Sequence, residues 1–90
     1  MELSELREGI DQIDVELTRL FLRRMEASGQ IAAVKAEKGL PILNAAREAE
    51  VLEKVSAAAP EDLKASVRVL YTEIMRLSRE YQSGLYPELK

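Results

Sequence analysis

Three basic side chains lie along the apolar side of the first helix that the sequence predicts. Arg24 interrupts the apolar stripe at its centre, Lys35 lies near its end, and Arg7 lies on its flank. A buried cation is stable only beside an anionic partner. These three residues therefore predict a helix that holds a negatively charged ligand.

The spacing of the three cations determines which of them can share one ligand. Lys35 follows Arg24 by about three helical turns, roughly 16 Å, and returns to the same face. Helical side chains lean toward the N-terminus, so Lys35 leans toward Arg24. Arg7 lies roughly 25 Å from Arg24 and about 100° round the helix axis. From one straight helix, Arg7 is too distant to bind the same small molecule.

The first helix has recognisable end signals. We expect it to run over residues 4–38, with Ser4 as its N-cap and Gly39 in the left-handed position that ends it. A break at Ser28 and Gly29 is the alternative, and it would let the chain fold back on itself. The apolar positions of this helix are Leu3, Leu6, Ile10, Ile13, Leu17, Leu20, Ala27, Ile31 and Val34.

Capping and helix-breaking residues predict two further helices. Asn44 can cap the second helix, and Pro60 fits the first turn of the third, which Gly84 and Pro87 close. The tail over residues 83–90 is either a disordered end or part of a linker. The apolar positions of the two helices are Ala45, Ala49, Leu52, Val55 and Ala59, then Leu63, Val67, Leu70, Ile74, Leu77 and Tyr81.

The first helix is too long for a compact domain of this size. Its roughly 34 residues span about 50 Å, whereas a compact globule of 90 residues is about 30 Å across. The apolar stripe would project into water unless another chain covers it. We therefore infer a homodimer in which the long helices pack together, antiparallel under two-fold symmetry. The reversed partner helix then brings its Arg7 toward Arg24 and Lys35, so that one site collects cations from two subunits.

Composition excludes several classes of protein. The chain has no Cys and no His, which removes disulfides, thiol nucleophiles, imidazole bases and the usual zinc ligands. A net charge of -3 and an aromatic content of 4% argue against a nucleic-acid or anionic-membrane surface. There is no apolar run of membrane-spanning length and no signal-peptide pattern. We expect one cytoplasmic all-α domain over residues 1–90, without a metal.

Polar side chains recur on the other two helices, on the sides expected to face the interior. Asn44, Arg47 and Glu48 occupy the first turn of the second helix at i, i+3 and i+4. Ser78 and Gln82 are four residues apart on the third helix, at the border of its apolar stripe. Each helix therefore offers polar groups to one interior.

Four segments carry a family resemblance through their order and spacing: LREGIDQIDVELTRLFLRRMEASGQIAAVKAEKG, LPILN, AAREAEVL and MRLSREYQ. Together they resemble the all-helical chorismate mutase family over essentially the whole chain. The resemblance implies an intertwined dimer of three-helix chains that converts chorismate to prephenate, in phenylalanine and tyrosine biosynthesis, by a Claisen rearrangement without a cofactor. This pericyclic reaction transfers no proton and needs no nucleophile, which agrees with the absence of His and Cys.

The resemblance also implies which residues meet the two carboxylates of chorismate. Arg24, helped by Ser78, would bind one carboxylate, and Arg7 from the other subunit would bind the second. Lys35 would reach both a carboxylate and the ether oxygen. Arginine suits such contacts because its planar fork meets a carboxylate in two hydrogen bonds.

By the same resemblance, four residues would act at the rest of the substrate. Gln82 would donate a second hydrogen bond to the ether oxygen, and Glu48 would accept one from the ring hydroxyl. Arg47 would lie at the edge of the site or support Glu48. The family often has Asp where this chain has Asn44. A backbone N–H contact would survive that change, and a carboxylate contact would not.

Each of these residues also has a structural interpretation. An arginine on an apolar stripe can snorkel or pair with a glutamate across an interface. Lys35 and Glu48 suit the dipoles of the helix ends at which they lie. Arg47 alone is typical of a solvated or salt-bridged side chain, and Ser78 and Gln82 are typical of the edge of a core helix. The joint match to one family's spacing favours the functional interpretation.

Two other functions stay open. A related isochorismate pyruvate-lyase would share the fold and the cations, although Glu48 suits the ring hydroxyl of chorismate and favours the mutase. A non-catalytic dimerisation or regulatory module would keep the fold, but Arg24 and Lys35 are costly in an interface without a ligand. The chain is either a stand-alone enzyme or a domain of a larger aromatic-biosynthesis protein.

Overall fold

The computed structural model describes residues 1–89, and they form three α-helices. Helix α1 spans Leu3–Lys38, α2 spans Ala45–Ala57 and α3 spans Lys64–Leu85, with a short 3-10 helix, Glu61–Leu63, directly before α3. No strand occurs within the described residues. The predicted all-α fold with a long first helix is confirmed.

Helix α1 is continuous over 36 residues, so the alternative with a break at Ser28 and Gly29 is wrong. Gly29 lies directly against α3. A Cβ atom added to it would lie 3.3 Å from Leu85 Cδ1 and 3.5 Å from Tyr81 Cε2. The missing side chain therefore allows the two helices to approach closely.

The C-terminal end of α1 follows its sequence signal. Gly39 has a φ of 68°, the left-handed conformation that glycine adopts without strain. The N–H of Gly39 donates to the carbonyl of Ala36 at 3.4 Å, and the N–H of Leu40 donates to the carbonyl of Lys35 at 2.8 Å. These bonds end the helix and turn the chain into the loop before α2.

The N-terminal end of α1 differs from the prediction. Its N-cap is Glu2 rather than Ser4, and the helix begins at Leu3. The physical reason is that the N–H of Leu6 donates to the carbonyl of Glu2 at 3.2 Å. This bond adds residues to the helix before Ser4, so the serine hydroxyl is no longer placed where a capping side chain acts.

The connection between α2 and α3 also differs from the prediction. Pro60 is extended, with φ of -65° and ψ of 157°, and precedes the 3-10 helix, so that α3 begins only at Lys64. Basic side chains at the start of α3 bind the end of α2. Lys64 Nζ donates to the carbonyl of Ser56 at 2.9 Å, and Arg68 Nη1 donates to Ser56 Oγ at 3.0 Å. They bind polar groups of the last turn of α2, where carbonyls lack partners within the helix.

Helix α3 packs against both α1 and α2 and turns a partly polar face toward them. Its buried residues are Met75, Ser78 and Gln82. Two residues of the predicted apolar stripe of α3 remain exposed in one chain: Leu70 is 52% exposed and Tyr81 is 43% exposed. Ser78 and Gln82 lie at the centre of the inner face because α3 borders a cavity between the three helices.

The apolar stripe of α1 is uncovered in a single chain. The chain measures 54 × 26 × 14 Å and has a radius of gyration of 16.2 Å, against about 12 Å for a compact domain of this length. In the N-terminal half of α1, Leu6, Ile10, Ile13 and Leu17 are each more than half exposed. None of the helices in the described part of the chain has the length and apolar character to cross a membrane.

Candidate active site

A cavity of about 400 Å³ lies where α1, α2 and α3 meet. Apolar walls come from Ala27, Ile31, Val51 and Met75. The cavity brings together all of the site residues predicted from the sequence except one: Arg24, Lys35, Asn44, Arg47, Glu48, Ser78 and Gln82. The exception, Arg7, is exposed on the N-terminal half of α1.

Arg24 is partly buried and is held by neutral groups on α3. Its Nη1 donates to Ser78 Oγ at 3.0 Å, and its guanidinium carbon lies 5.8 Å from the centre of the Tyr71 ring. Ser78 is only 6% exposed, and its Oγ lies 3.6 Å from Met25 Sδ. A hydroxyl and an aromatic face orient the guanidinium without neutralising it. The positive charge of Arg24 is therefore available to a ligand in the cavity.

Lys35 comes from the last turn of α1 and is fixed by the following loop. Its Nζ donates to the carbonyl of Ile42, a residue that is 6% exposed. An ammonium group has three N–H donors. One is used by this carbonyl, so Lys35 can offer the others to an anion while its charge stays uncompensated.

The first turn of α2 contributes Asn44, Arg47 and Glu48. Asn44 Oδ1 accepts a hydrogen bond from the N–H of Arg47 at 3.0 Å, which confirms that Asn44 caps α2. The Arg47 side chain is 59% exposed and pairs with Glu50 at 2.5 Å. Arg47 therefore lies at the solvent edge of the cavity, with much of its charge already compensated.

Glu48 faces the cavity and is paired with a residue that the sequence analysis missed. Arg79 Nη1 donates to both carboxylate oxygens of Glu48, at 2.6 Å from Oε1. Arg79 lines the same cavity, next to Ser78 on α3. Arg79 lies three residues before Gln82, and this spacing places the two residues on the same side of a helix. The residues predicted from the sequence came from the apolar stripe of α3 and its polar border, and did not include Arg79.

Gln82 is 6% exposed and lines the cavity from α3. Its Oε1 is buried and has no hydrogen-bond partner among the described residues. An unpaired buried acceptor costs about 1 to 3 kcal/mol. The amide is therefore a polar group whose hydrogen bonding the protein itself leaves incomplete.

An ion-pair cluster on the outer side of α3 shifts the pKa of two of its members. On the outer side of α3, a side-chain hydrogen bond from Arg76 lowers the pKa of Glu73, and the same pair raises the pKa of Arg76. Arg76 also binds Glu80 at 2.6 Å. These side chains form an exposed ion-pair cluster that is separate from the cations of the cavity.

The arrangement suits binding and orientation rather than proton transfer. Two cations, Arg24 and Lys35, keep their charge, a buried amide offers hydrogen bonds, and the carboxylate of Glu48 is held by Arg79. Such a cavity can bind a small polyanion and stabilise negative charge that develops during a reaction.

The cap of α2 predicts a stability effect at Asn44. Asn44→Ala removes the acceptor for the N–H of Arg47, so the free energy of unfolding should fall by about 1 kcal/mol. Asn44→Asp keeps an acceptor at the positive end of α2 and should unfold near the wild-type urea concentration. Urea titration followed by circular dichroism measures both variants. Equal losses in the two variants would contradict the capping role.

The chain is similar in sequence to several known proteins, among them two whose names include chorismate mutase. The chain is 33% identical over 87 residues to the bifunctional chorismate mutase/prephenate dehydratase of Aquifex aeolicus, covering 97% of this chain and 19% of that protein. It is 34% identical over 99 residues to the T-protein of Enterobacter agglomerans, covering 99% of this chain and 26% of that protein. The intracellular chorismate mutase of Mycobacterium tuberculosis is 33% identical over 69 residues, 77% of this chain and 66% of that protein.

This chain thus spans about a fifth of the Aquifex relative and about a quarter of the Enterobacter relative. No solved structure gives a significant match to it. The family comparison matches chorismate mutase type II over residues 6–83, which include α1 from Leu6 onward, all of α2 and nearly all of α3. On this match and these relatives, the chain belongs to the chorismate mutase type II family.

Proposed function

We propose that this chain is a chorismate mutase, an isomerase that converts chorismate to prephenate. The main support is the pair of uncompensated cations, Arg24 and Lys35, facing one cavity in a chain of this family. Chorismate carries two carboxylates, so a site for it needs several cations. Relatives named chorismate mutase agree with this activity.

The reaction suits a site without an acid or a nucleophile. In the Claisen rearrangement the ether C–O bond breaks as a C–C bond forms, and no proton moves. The protein has to hold the substrate in its folded conformer and stabilise negative charge on the ether oxygen. Hydrogen-bond donors and cations are sufficient for both tasks.

We assign one substrate carboxylate to Arg24. The bond from Nη1 to Ser78 Oγ orients the guanidinium, and its remaining N–H groups can meet a carboxylate in two parallel bonds. In this proposal Ser78 acts by orienting Arg24. The cation over Tyr71 keeps a fixed position before the substrate arrives, which reduces the cost of ordering it on binding.

We assign the ether oxygen to Lys35 and Gln82. The Ile42 carbonyl holds the ammonium of Lys35 in place and leaves donors for both a carboxylate and the ether oxygen. Gln82 is buried, so a hydrogen bond from its amide acts where water is largely excluded. Hydrogen bonds to developing charge are stronger in such an environment than in water.

The start of α2 would bind the ring side of the substrate. Glu48 accepts a hydrogen bond from the ring hydroxyl in this proposal, and Arg47 supports the edge of the site. Asn44 Oδ1 is already used as the cap of α2. We therefore propose that Asn44 contributes its backbone rather than its side chain.

We further propose that the active form is an intertwined antiparallel homodimer. The uncovered apolar stripe on the N-terminal half of α1, which includes Leu6, Ile10 and Ile13, supports this assembly. Covering it with the cavity-bearing half of a second copy would bring the partner's Arg7 toward Arg24 and Lys35. Arg7 would then bind the second carboxylate of the substrate.

The direct test is the loss of chorismate and the appearance of prephenate with purified protein. Arg24→Ala and Lys35→Ala should each lower kcat/KM by at least about a hundredfold, because each removes a cation assigned to the substrate carboxylates or the ether oxygen. Arg23→Ala and Lys38→Ala remove exposed cations of α1 and should stay within about twofold. Near wild-type turnover in the first two variants would refute the site.

The alternative lyase function has its own test. Isochorismate is added to the wild-type protein in place of chorismate, and release of pyruvate would indicate lyase activity.

Mixing two inactive variants tests the shared site. Arg7→Ala and Lys35→Ala chains are each expected to be inactive as homodimers. After equal mixing and exchange, a heterodimer has one intact site, so about a quarter of wild-type activity should return. Mixing Arg24→Ala with Lys35→Ala serves as the control. Each site takes both Arg24 and Lys35 from one chain, so in this heterodimer both sites lack a cation. If the first mixture stays as inactive as the control, the two subunits do not share a site.

The neutral amide of Gln82 predicts a specific pH dependence. In Gln82→Glu the new carboxyl donates a hydrogen bond only while protonated. Glutamate has an ordinary pKa of about 4.3, and burial raises it. The activity of this variant should therefore be highest at low pH and fall as the pH rises through the pKa of the new carboxyl. Rate measurements from pH 5 to 8, with Gln82→Ala as the variant lacking any donor, check this. Unchanged neutral activity in Gln82→Glu would exclude the ether-oxygen role.

A further inference from the structure

The ion pair between Glu48 and Arg79 differs from the other ion pairs in the described part of the chain. Its side chains are 26% and 33% exposed, whereas the partners in the other pairs are 43% to 79% exposed. It also joins two helices that line the cavity, because Glu48 lies on α2 and Arg79 on α3. Exposed pairs contribute little to stability, but a partly buried pair restricts both side chains.

The geometry of this pair fixes the carboxylate of Glu48. Arg79 Nη1 is bonded to both Oε1 and Oε2, so the carboxylate group cannot turn freely about its terminal torsion. Each carboxylate oxygen has two acceptor sites. One is used at each oxygen, so Glu48 can still accept a hydrogen bond from a ligand hydroxyl in the cavity.

The pair also removes an electrostatic conflict. An unpaired carboxylate beside the cavity would repel the carboxylates of a dianionic substrate, because like charges in a partly dry site repel strongly. Arg79 neutralises this charge while leaving the acceptor in place. The charges of Arg24 and Lys35, in contrast, are bonded to a neutral hydroxyl and a carbonyl.

We propose that Arg79 is a positioning residue for the rearrangement, which holds the Glu48 carboxylate so that it accepts a hydrogen bond from the ring hydroxyl of chorismate. This inference rests on the proposed function. Arg79 acts through Glu48 and does not itself bind a substrate carboxylate. Removing Arg79 therefore matters only while Glu48 is present, and its effect through positioning also requires the ring hydroxyl.

A kinetic double-mutant cycle tests this dependence. Arg79→Gln should lower kcat/KM for chorismate by about tenfold to a hundredfold, and Glu48→Gln by a similar factor. The double variant should be no worse than Glu48→Gln alone. If the two losses multiply, Arg79 acts independently of Glu48 and the inference is overturned. Arg76→Gln is the matched control, since it breaks ion pairs with Glu73 and Glu80 on the outer side of α3, and it should stay within about twofold.

A substrate analogue separates positioning from a purely structural tie between α2 and α3. With chorismate lacking its ring hydroxyl, wild type and Arg79→Lys, which still compensates the charge of Glu48, should react at rates within about twofold of each other. A general loosening of the helices would lower the rate with the analogue as much as with chorismate, and that result would overturn the inference. Arg79→Lys keeps the positive charge and should recover part of the lost kcat/KM. It takes the place of Arg79→Gln in the cycle if the latter does not fold.

The activity of the wild type distinguishes failure of the proposed function from failure of the positioning role. Wild-type protein that does not consume chorismate would overturn the proposed function and this inference together. Wild type that consumes chorismate, with independent effects of Arg79 and Glu48, would overturn only the positioning role. Circular dichroism melting of each variant confirms that the compared chains are folded.

Discussion

The inner face of α3 is partly polar, because Ser78 and Gln82 are buried there beside Met75, and the cavity between the helices depends on this constraint. Within the described residues, the buried apolar side chains are Ala32, Ile42 and Met75, while Ser78 and Gln82 occupy positions that leucine would fill in an ordinary bundle. A protomer with so few buried apolar groups gains little from the hydrophobic effect. The apolar stripe of α1 and part of the stripe of α3 stay exposed in one chain, which is the physical reason for proposing that a second copy covers them.

The hydrogen-bond partners of the charged groups separate the cations of the cavity into two kinds. Arg24 is held by a hydroxyl and Lys35 by a carbonyl, so both keep their charge. Arg47 and Arg79 are paired with glutamates, so their charge is largely compensated. Cations with neutral partners remain free for an anion, whereas compensated pairs set the position of other groups. In the proposed reaction this separates binding of the substrate carboxylates from recognition of its hydroxyl.

Local signals in the sequence predicted the helix ends well where one residue determines the conformation. Gly39 has the positive φ expected of a glycine that ends a helix, and the Asn44 side chain accepts the expected capping bond. The convergence of Arg24 and Lys35 on one cavity also follows from helical periodicity alone. Ser4 failed as a cap because a backbone bond to Glu2 extends the helix, a competition that side-chain preference does not reveal.

Tertiary features were harder to predict, because helical periodicity shows which residues share a face but not what that face packs against. Leu70 and Tyr81 belong to the apolar stripe of α3, yet they are 52% and 43% exposed in one chain. Arg79 was missed for a related reason. Its partner Glu48 is 31 residues away, on a different helix, and only the packing of α2 on α3 brings the two together.

Gln82 differs from the other polar residues of the cavity in its hydrogen bonding. Its amide is buried in the cavity, yet Oε1 has no partner among the described residues, so packing rather than hydrogen bonding holds it. Elsewhere in the cavity, neighbouring groups hold Arg24, Lys35 and Glu48 in place before any ligand binds and leave part of their hydrogen-bonding capacity free. The unpaired atom is the acceptor Oε1, whereas the ether oxygen requires a donor, so the proposed role falls to the amide N–H2 group of the same side chain. A donor that packing holds in place can stabilise the negative charge that develops only as the ether bond breaks, which is the condition for stabilising a transition state more than the bound substrate.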